Sequence, residues 1–353
     1  METKKGITFG LFADLHYKKG MYLSTVEDME HILERASQNN ADFVIHAGDY
    51  SNDYNGSREI VDVYLKNKYN LPVYGIYGNH ELESKGNRLE TVTPLLTNRA
   101  SEVVWGTDDG KIGDGSIGYY YFDVDDFRII CTDTNYSYNE ELSCWQHNLE
   151  ASWGAPQGNI KVNSLGPRQL KWLEKVLLDA ADKGKHCIVA SHAAFYCEWS
   201  GDSPDSAAVR DMFKMANDKK RGTVIMSFNG HYHTNRIAES DNIVYFDVNT
   251  VRNGCWRPGN EEHYSPEHTF LQIDYDENGV AVGSKTAPLS ALWQSKNTWY
   301  FDKPLSAIVT ISKDGQITVS GSKVEWIYGV IPDVNTPIKA PEITDAEFKL
   351  DIN

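Results

Sequence analysis

Ile7-Thr8-Phe9-Gly10-Leu11-Phe12-Ala13-Asp14-Leu15-His16 is a short apolar run that ends abruptly in a carboxylate and an imidazole. β-branched and aromatic residues make its first part read as a buried strand. Between Ser24 and Asn39, Val26, Met29, Ile32, Leu33 and Ala36 recur at helical spacing, and Ser24 or Thr25 is placed to cap that helix. The pattern then repeats: a strand at Phe43–Ala47, a helix near Ser57–Tyr69 and a strand at Pro72–Tyr77. Strand, helix, strand, helix, strand implies right-handed crossovers and a largely parallel sheet in the first half of the chain.

Farther along, Ile117–Val124 and Phe127–Thr132 flank Asp125-Asp126 and read as a hairpin. Asn135–Leu165 is polar and aromatic without periodicity, a length that inside a domain usually marks function or motion. A helix at Pro167–Asp182, a strand at Cys187–Ala190, a helix at Ser206–Asn217 and a strand at Val224–Phe228 follow, with Pro167 suited to a first helical turn. From Ile243 the chain is mostly strands: Ile243–Val248, then Thr269–Tyr275 and Val280–Ser284 around the turn Asp276–Gly279. Ala307–Ser312 and Gln316–Ser320 meet at Lys313-Asp314-Gly315, and a tail with Pro332, Pro337 and Pro341 is extended. The expected fold class is α/β, two facing mixed β-sheets flanked by helices, with a C-terminal β extension.

The 353 residues suffice for one large core or two ordinary ones. With 41% hydrophobic and 24% charged residues the composition is that of a globular protein. No run approaches the roughly 18 apolar residues of a membrane span. Met1–Gly6 is short and polar, so no secretory signal is expected. Cys131, Cys144, Cys187, Cys197 and Cys255 are odd in number and lack a C-x-x-C pair, which points to reduced thiols and a cytoplasmic location. A formal net charge of −16 without a basic run disfavours nucleic acid as partner and favours a small substrate.

The chemistry lies where strands end. Five apolar runs terminate in Asp14-Leu15-His16, Gly48-Asp49, Gly78-Asn79-His80-Glu81, Ser191-His192 and Gly230-His231-Tyr232-His233. In open α/β sheets the site lies outside the carboxyl ends of the strands, so these residues converge on one place. Carboxylate, imidazole and amide donors without thiolate suit Mn, Fe or Zn, and several imidazoles argue against Mg or Ca alone. The glycines before Asp49, Asn79 and His231 are expected to let the backbone turn sharply beneath the site. Asp14, His16, Asp49, Asn79, His192, His231 and His233 are too many ligands for one ion, whereas two divalent metal ions sharing Asp49 use them all. Such a pair can clamp both oxygens of an in-line phosphoryl displacement.

In this order the five motifs resemble the calcineurin-like metallophosphoesterase pattern, over about Ile7–Ser284, and are similar to its bacterial cyclic-nucleotide phosphodiesterase branch. The resemblance implies a β-sandwich between helices. It gives one metal to Asp14, His16 and His233, the other to Asn79, His192 and His231, and Asp49 as the bridge. His80 matches the position that contacts the phosphate and protonates the leaving oxygen, while a hydroxide bridging the metals attacks phosphorus. Ala13 departs from the Gly that many members carry there. On this reading residues 1–290 form the catalytic domain. Residues 291–353 form a hairpin extension and Pro-containing tail packed on it.

His46, inside a strand, reads as a core group or a support of the site; His31, His147, His186, His263 and His268 read as surface or loop residues. Glu81 is a candidate to orient a histidine ring, or an ordinary solvated acid at a helix start. Tyr136, Tyr138, Trp145, Trp153, Tyr196, Trp199, Trp256 and Tyr264 could line a substrate pocket or simply pack among themselves, and Arg252 and Arg257 could meet a second phosphate. The leading function is a phosphodiesterase acting on a small or nucleotide-type phosphate ester. A phosphomonoesterase or pyrophosphatase on the same site, and a scaffold that has lost catalysis, are the alternatives.

Overall fold

The opening apolar run forms strand β1, Gly6–Phe12, in a computed structural model that describes residues 6–17, 25–51, 54–81, 96–106, 118–139, 143–147, 163–196, 203–251, 269–275, 281–288, 300–301, 303–328, 330–332 and 342–352. Helix α1, Val26–Gln38, starts at a reciprocal cap: the Asp28 amide donates to Thr25 Oγ1 (3.2 Å) and the Thr25 amide to the Asp28 carboxylate (2.9 Å). Thr25 is therefore the cap; Ser24 lies outside the described residues. Strand β2 (Phe43–His46), helix α2 (Tyr54–Leu65) and strand β3 (Val73–Gly75) complete the first repeat. The second half adds β4 (Val104–Trp105), β5 (Tyr120–Val124), β6 (Phe127–Cys131), β7 (Tyr136–Asn139), β8 (Cys144–His147), α3 (Gly166–Lys183), β9 (His186–Ser191), α4 (Ser206–Lys219), β10 (Val224–Asn229), β11 (Arg236–Ser240) and β12 (Ile243–Asp247). Strands β13 (Thr269–Tyr275), β14 (Ala281–Pro288), β15 (Tyr300–Phe301), β16 (Ala307–Ser312), β17 (Gln316–Gly321), β18 (Trp326–Tyr328), β19 (Val330–Pro332) and β20 (Ala346–Lys349) follow.

Among the described residues two mixed sheets dominate, in the orders β20-β17-β16-β1-β2-β3 and β11-β12-β10-β9-β6-β5-β4. The strands that carry the ligand motifs are the parallel ones: β1 with β2, β2 with β3, and β9 with β10. Their carboxyl ends therefore point the same way within each sheet. Phe9 stacks on Phe43 at 5.1 Å, and Tyr74 stacks across the interface on Phe122 at 3.6 Å, in a continuous apolar layer between the sheets. On the outer faces α1 and α2 cover Phe12, Val44 and Val73, while α3 and α4 cover Ile130, Val189 and Val224. The molecule has the expected α/β architecture of two facing mixed sheets between helices.

The chain from Leu305 onward completes the first sheet. β16 pairs antiparallel with β1, from Gly6 opposite Ser312 to Leu11 opposite Ala307. Arg35, in the last turn of α1, donates to the carbonyls of Ser306 (2.5 Å), Ser320 (2.8 Å) and Gly321 (3.2 Å) and to the hydroxyl of Ser322 (2.8 Å). At the far end Ile352 packs over Gly222, and Asp351 pairs with Arg221 and Asn242. The C-terminal run thus ties the first sheet to the second at both ends, since Thr344 also bonds Asn235, two residues after His233.

His46 is buried in β2 against Phe12, Tyr50 and Tyr64. Its Nδ1 accepts from the Gly48 amide at 3.3 Å, and its Nε2, pressed against Gly75, has no hydrogen-bond partner. Burial, with His192 nearby, holds its pKa down at about 3. In the unfolded chain the group titrates near ~6.5. Its contribution to stability is therefore fully present above that value and is lost as pH falls toward 3, by up to about 1.4 kcal/mol per pH unit. Urea unfolding of the chelated protein between about pH 6 and pH 4.5 checks this. Wild type should lose roughly 1 kcal/mol per unit more than His46→Leu, and equal slopes would mean that the buried ring is protonated in the fold.

Candidate metal centre

The loops after β1 and β2 are laced together by backbone hydrogen bonds from Asp14 to Gly48 O (3.0 Å) and from His16 to Asp49 O (2.8 Å). Both carboxylates of Asp14 and Asp49 are thereby fixed side by side. The loop after β10 joins them through the His231 amide, which donates to the two Asp14 carboxylate oxygens at 3.1 and 3.0 Å. Asp14, His16, Asp49, His231 and His233 all have left-handed backbone (φ 54°, 48°, 53°, 76° and 52°). Each such residue costs on the order of 1 kcal/mol, and strain of this kind persists only where surrounding contacts dictate it. Five strained residues within one set of seven candidate ligands mark this corner of the molecule.

Tight backbone approach explains the glycines. Gly48 is itself left-handed (φ 92°), and a Cβ there would lie 2.4 Å from His192 Nδ1. At Gly78 a Cβ would lie 1.9 Å from Asp49 Oδ1, and at Gly230 2.6 Å from Asp14 Oδ2. Neither of these two has a positive φ, so the expectation of a sharp turn holds at Gly48, while at Gly78 and Gly230 the requirement is room for a carboxylate.

The side chains fall into three overlapping groups. Asp14, His16 and His233 form one, Asp49, His192 and His231 a second, and a third, His16, Asp49 and His80, shares members with both. In each, the ligand atoms lie within 4.8 Å of one another. His16 Nε2 and His233 Nε2 are 3.0 Å apart, and His233 Nε2 is 3.3 Å from Asp14 Oδ1. His192 Nε2 is 3.2 Å from Asp49 Oδ2 and 3.3 Å from Asn79 Oδ1, which brings the amide into the second group. All seven expected ligands and His80 are thus gathered in one place.

A cation fits this donor set. His192 Nδ1 lies 2.7 Å from the Ala47 carbonyl, which can only accept, so Nδ1 carries the proton. In the neutral ring the Nε2 lone pair then faces two oxygen acceptors, a convergence that is repulsive unless a proton or a metal sits among them. Burial opposes a charge on His192, but Asp49 and Asp14 overcome it and push its pKa up to about 10. A metal bound among these atoms would compete with a proton for the same lone pair. Burial likewise works against Asp14 and Asp49, yet the surrounding imidazoles hold both well below the usual carboxylate range.

Glu81 braces backbone. It is fully buried, and its carboxylate accepts from the amides of Gly78 (2.6 Å), Asp49 (3.1 Å) and Ser51 (3.1 Å), pinning the β2 and β3 loops together. Burial and the Asp49 carboxylate push its pKa up to about 8 against those donors. Tyr196 is buried and stacks on Tyr245 at 4.6 Å. Sequence reasoning passed over Tyr232, which lies edge-on to His231 at 4.8 Å. Trp153, Trp199, Trp256, Tyr264, Arg252 and Arg257 lie outside the described residues, as does the side chain of Trp145.

Residues 7–235 match the family model described as calcineurin-like phosphoesterase. No curated protein matches the chain. Among solved structures it is similar to a dimetal phosphatase from Danio rerio, with 15% identity, TM-score 0.56, and coverage of 92% of this chain and 99% of that one. It also aligns with GAP50 of Plasmodium, described as the anchor in the inner membrane complex, with 13% identity, TM-score 0.45, and coverage of 99% and 90%. An archaeal phosphodiesterase aligns with 13% identity, TM-score 0.31, and coverage of 80% and 100%.

Proposed function

The chain belongs to the calcineurin-like phosphoesterase family, and on that premise we propose that it hydrolyses a small phosphodiester at a pair of divalent metal ions. The observation that carries this reading is the Asp49 carboxylate, which lies in two of the three ligand groups at once. Asp14, His16 and His233 would hold one ion, Asn79, His192 and His231 the other, with Asp49 between them. Imidazole, amide and carboxylate donors without sulfur favour Mn, Fe or Zn. When bound, the ions supply positive charge for a phosphate and the acidity that makes a nucleophile available near neutral pH. Their charge outweighs the two carboxylates, so an anionic substrate is drawn to the site despite the net charge of −16.

The chain's own residues do the positioning. Glycine at 78 and 230 lets the loops close on the carboxylates, glycine at 48 lets its loop close on the His192 ring, and Glu81 holds two of those loops in register. His80 keeps its side chain 21% exposed beside Asp49, where it can meet a substrate and give a proton to the leaving oxygen. The diester preference rests on the motif pattern, which is similar to the cyclic-nucleotide phosphodiesterase branch. A small substrate rather than nucleic acid follows from the acidic charge. A cytoplasmic setting is supported by the free, buried Cys131 and Cys187, whose thiols burial pushes up to about 12. No helix among the described residues is long and apolar enough to cross a membrane.

Hydrolysis of bis-p-nitrophenyl phosphate and p-nitrophenyl phosphate, after chelation and refilling with Mn²⁺, tests the reading. Metal-dependent turnover with kcat/KM at least roughly tenfold higher for the diester is expected. Preference for the monoester would make the protein a phosphatase. No turnover of either ester with two ions bound would point to a scaffold, against which the complete ligand set argues.

A further inference from the structure

We infer that Asp247, a residue distant from the five motifs in sequence, is a positioning residue that holds the His231–His233 loop in its metal-binding shape. The inference rests on the two-metal reading above. Asp247 ends β12 and is fully buried. In the sheet it stands between two strands: opposite Asn229, the last residue of β10, and opposite Arg236, the first residue of β11. The loop that carries both histidines runs between those two neighbours. Asp247 Oδ1 accepts from Asn229 Nδ2 at 2.9 Å, and its Oδ2 accepts from the Thr234 hydroxyl. Arg236 Nε lies 3.6 Å from Oδ2 and donates to Thr234 Oγ1 at 3.1 Å. One carboxylate thus ties the residue two before His231 to the residue directly after His233.

The loop needs such a tie. His231 and His233 are both left-handed, a conformation that a free loop would relax out of. Its other anchor, the Asp14 carboxylate under the His231 amide, is itself a candidate ligand whose electrons a metal would share. Asp247 is in none of the three ligand groups, so it acts through the loop that it braces. Partners of this kind, one step behind the ligands, typically change metal affinity by about 10–100-fold when removed.

The test is Mn²⁺ titration of the chelated protein, followed by the free-ion electron paramagnetic resonance signal, with the melting temperature of the metal-free protein recorded alongside. Asp247→Ala should weaken Mn²⁺ binding about 10–100-fold. Asp247→Asn should bind within a few-fold of wild type, because its oxygen can face Asn229 while its amide donates to the Thr234 hydroxyl. Arg128→Met, which removes a buried guanidinium bonded to Asp123 and Asp179 far from the site, should lower the melting temperature without changing Mn²⁺ affinity. If Asp247→Ala fails to fold, Thr234→Val removes one of the two ties and should weaken binding several-fold. Wild-type affinity in Asp247→Ala or Thr234→Val, or no recovery in Asp247→Asn, overturns the inference. Absence of Mn²⁺ binding by wild type overturns the two-metal reading itself, and the inference with it.

Discussion

Asp49→Asn should lose nearly all turnover and retain at most one divalent ion. The substitution keeps the size of the side chain and removes only its charge. That charge faces His192 Nε2 at 3.2 Å, His16 Nε2 at 3.7 Å and His80 Nε2 at 3.9 Å, so each half of the site depends on it. An amide has one oxygen instead of two equivalent ones and cannot serve two cations at once. Its oxygen would still accept from the His80 amide, which Asp49 Oδ1 now does at 2.8 Å, so the β3 loop should keep its place. The expected loss in kcat/KM is at least about 10³-fold, roughly 4 kcal/mol of transition-state stabilisation. Metal analysis after refilling, together with steady-state kinetics, checks both halves of the expectation. Two tightly held ions and activity within tenfold of wild type would remove Asp49 from the bridging position.

That carboxylate could be singled out in the sequence because of where it stands. Each motif follows an apolar run, and strands that carry a site deliver their functional residues at their carboxyl ends. That Asp14, Asp49, Asn79, His192 and His231 follow the carboxyl ends of strands was thus legible from the apolar runs, while their assignment to two metals came from the resemblance. What periodicity does not encode is which buried acid braces which loop. Glu81 binds three backbone amides, and Asp247 reaches residues 18 positions earlier; neither leaves a spacing signature. The one available signal at Asp247 was chemical, an acid closing the buried run Ile243-Val244-Tyr245-Phe246.

Elements were missed for equally specific reasons. Strand β11, Arg236–Ser240, is only half buried and lacks clean alternation, yet Asp241-Asn242 after it are both left-handed and form the kind of tight turn that joins hairpin strands. Those two residues were the cue. Helix α2 ends at Leu65, short of the expected Tyr69, because the Asn67 side chain binds Tyr64 O, Leu71 O and the Leu71 amide, and so builds a turn where the helix would have continued. Strand β20 joins the first sheet at its edge through β17, a pairing across nearly thirty residues that local pattern cannot reveal.

His80→Ala should separate proton donation from metal binding. The backbone of His80 is fixed by the hydrogen bond that its amide donates to the Asp49 carboxylate, and its ring stands edge-on to His16 at 4.6 Å. Its Nε2 is farther from the Asp49 carboxylate than that of His192 or His16, and part of its surface reaches solvent. A group placed so can approach a substrate oxygen without being consumed as a ligand. A leaving alkoxide needs a proton in the transition state, whereas p-nitrophenolate leaves readily without one. Loss of the imidazole should therefore lower kcat by about 10²–10⁴-fold for an alkyl diester and by less than about tenfold for bis-p-nitrophenyl phosphate. Both ions should remain, as measured by metal analysis. Equal losses for the two esters together with one missing ion would make His80 a ligand of the third group, beside His16 and Asp49. Full activity on both esters would place the proton donor elsewhere. Only the leaving-group dependence, with the metals retained, identifies the imidazole as the acid, because a ligand or a purely structural residue would slow both substrates alike.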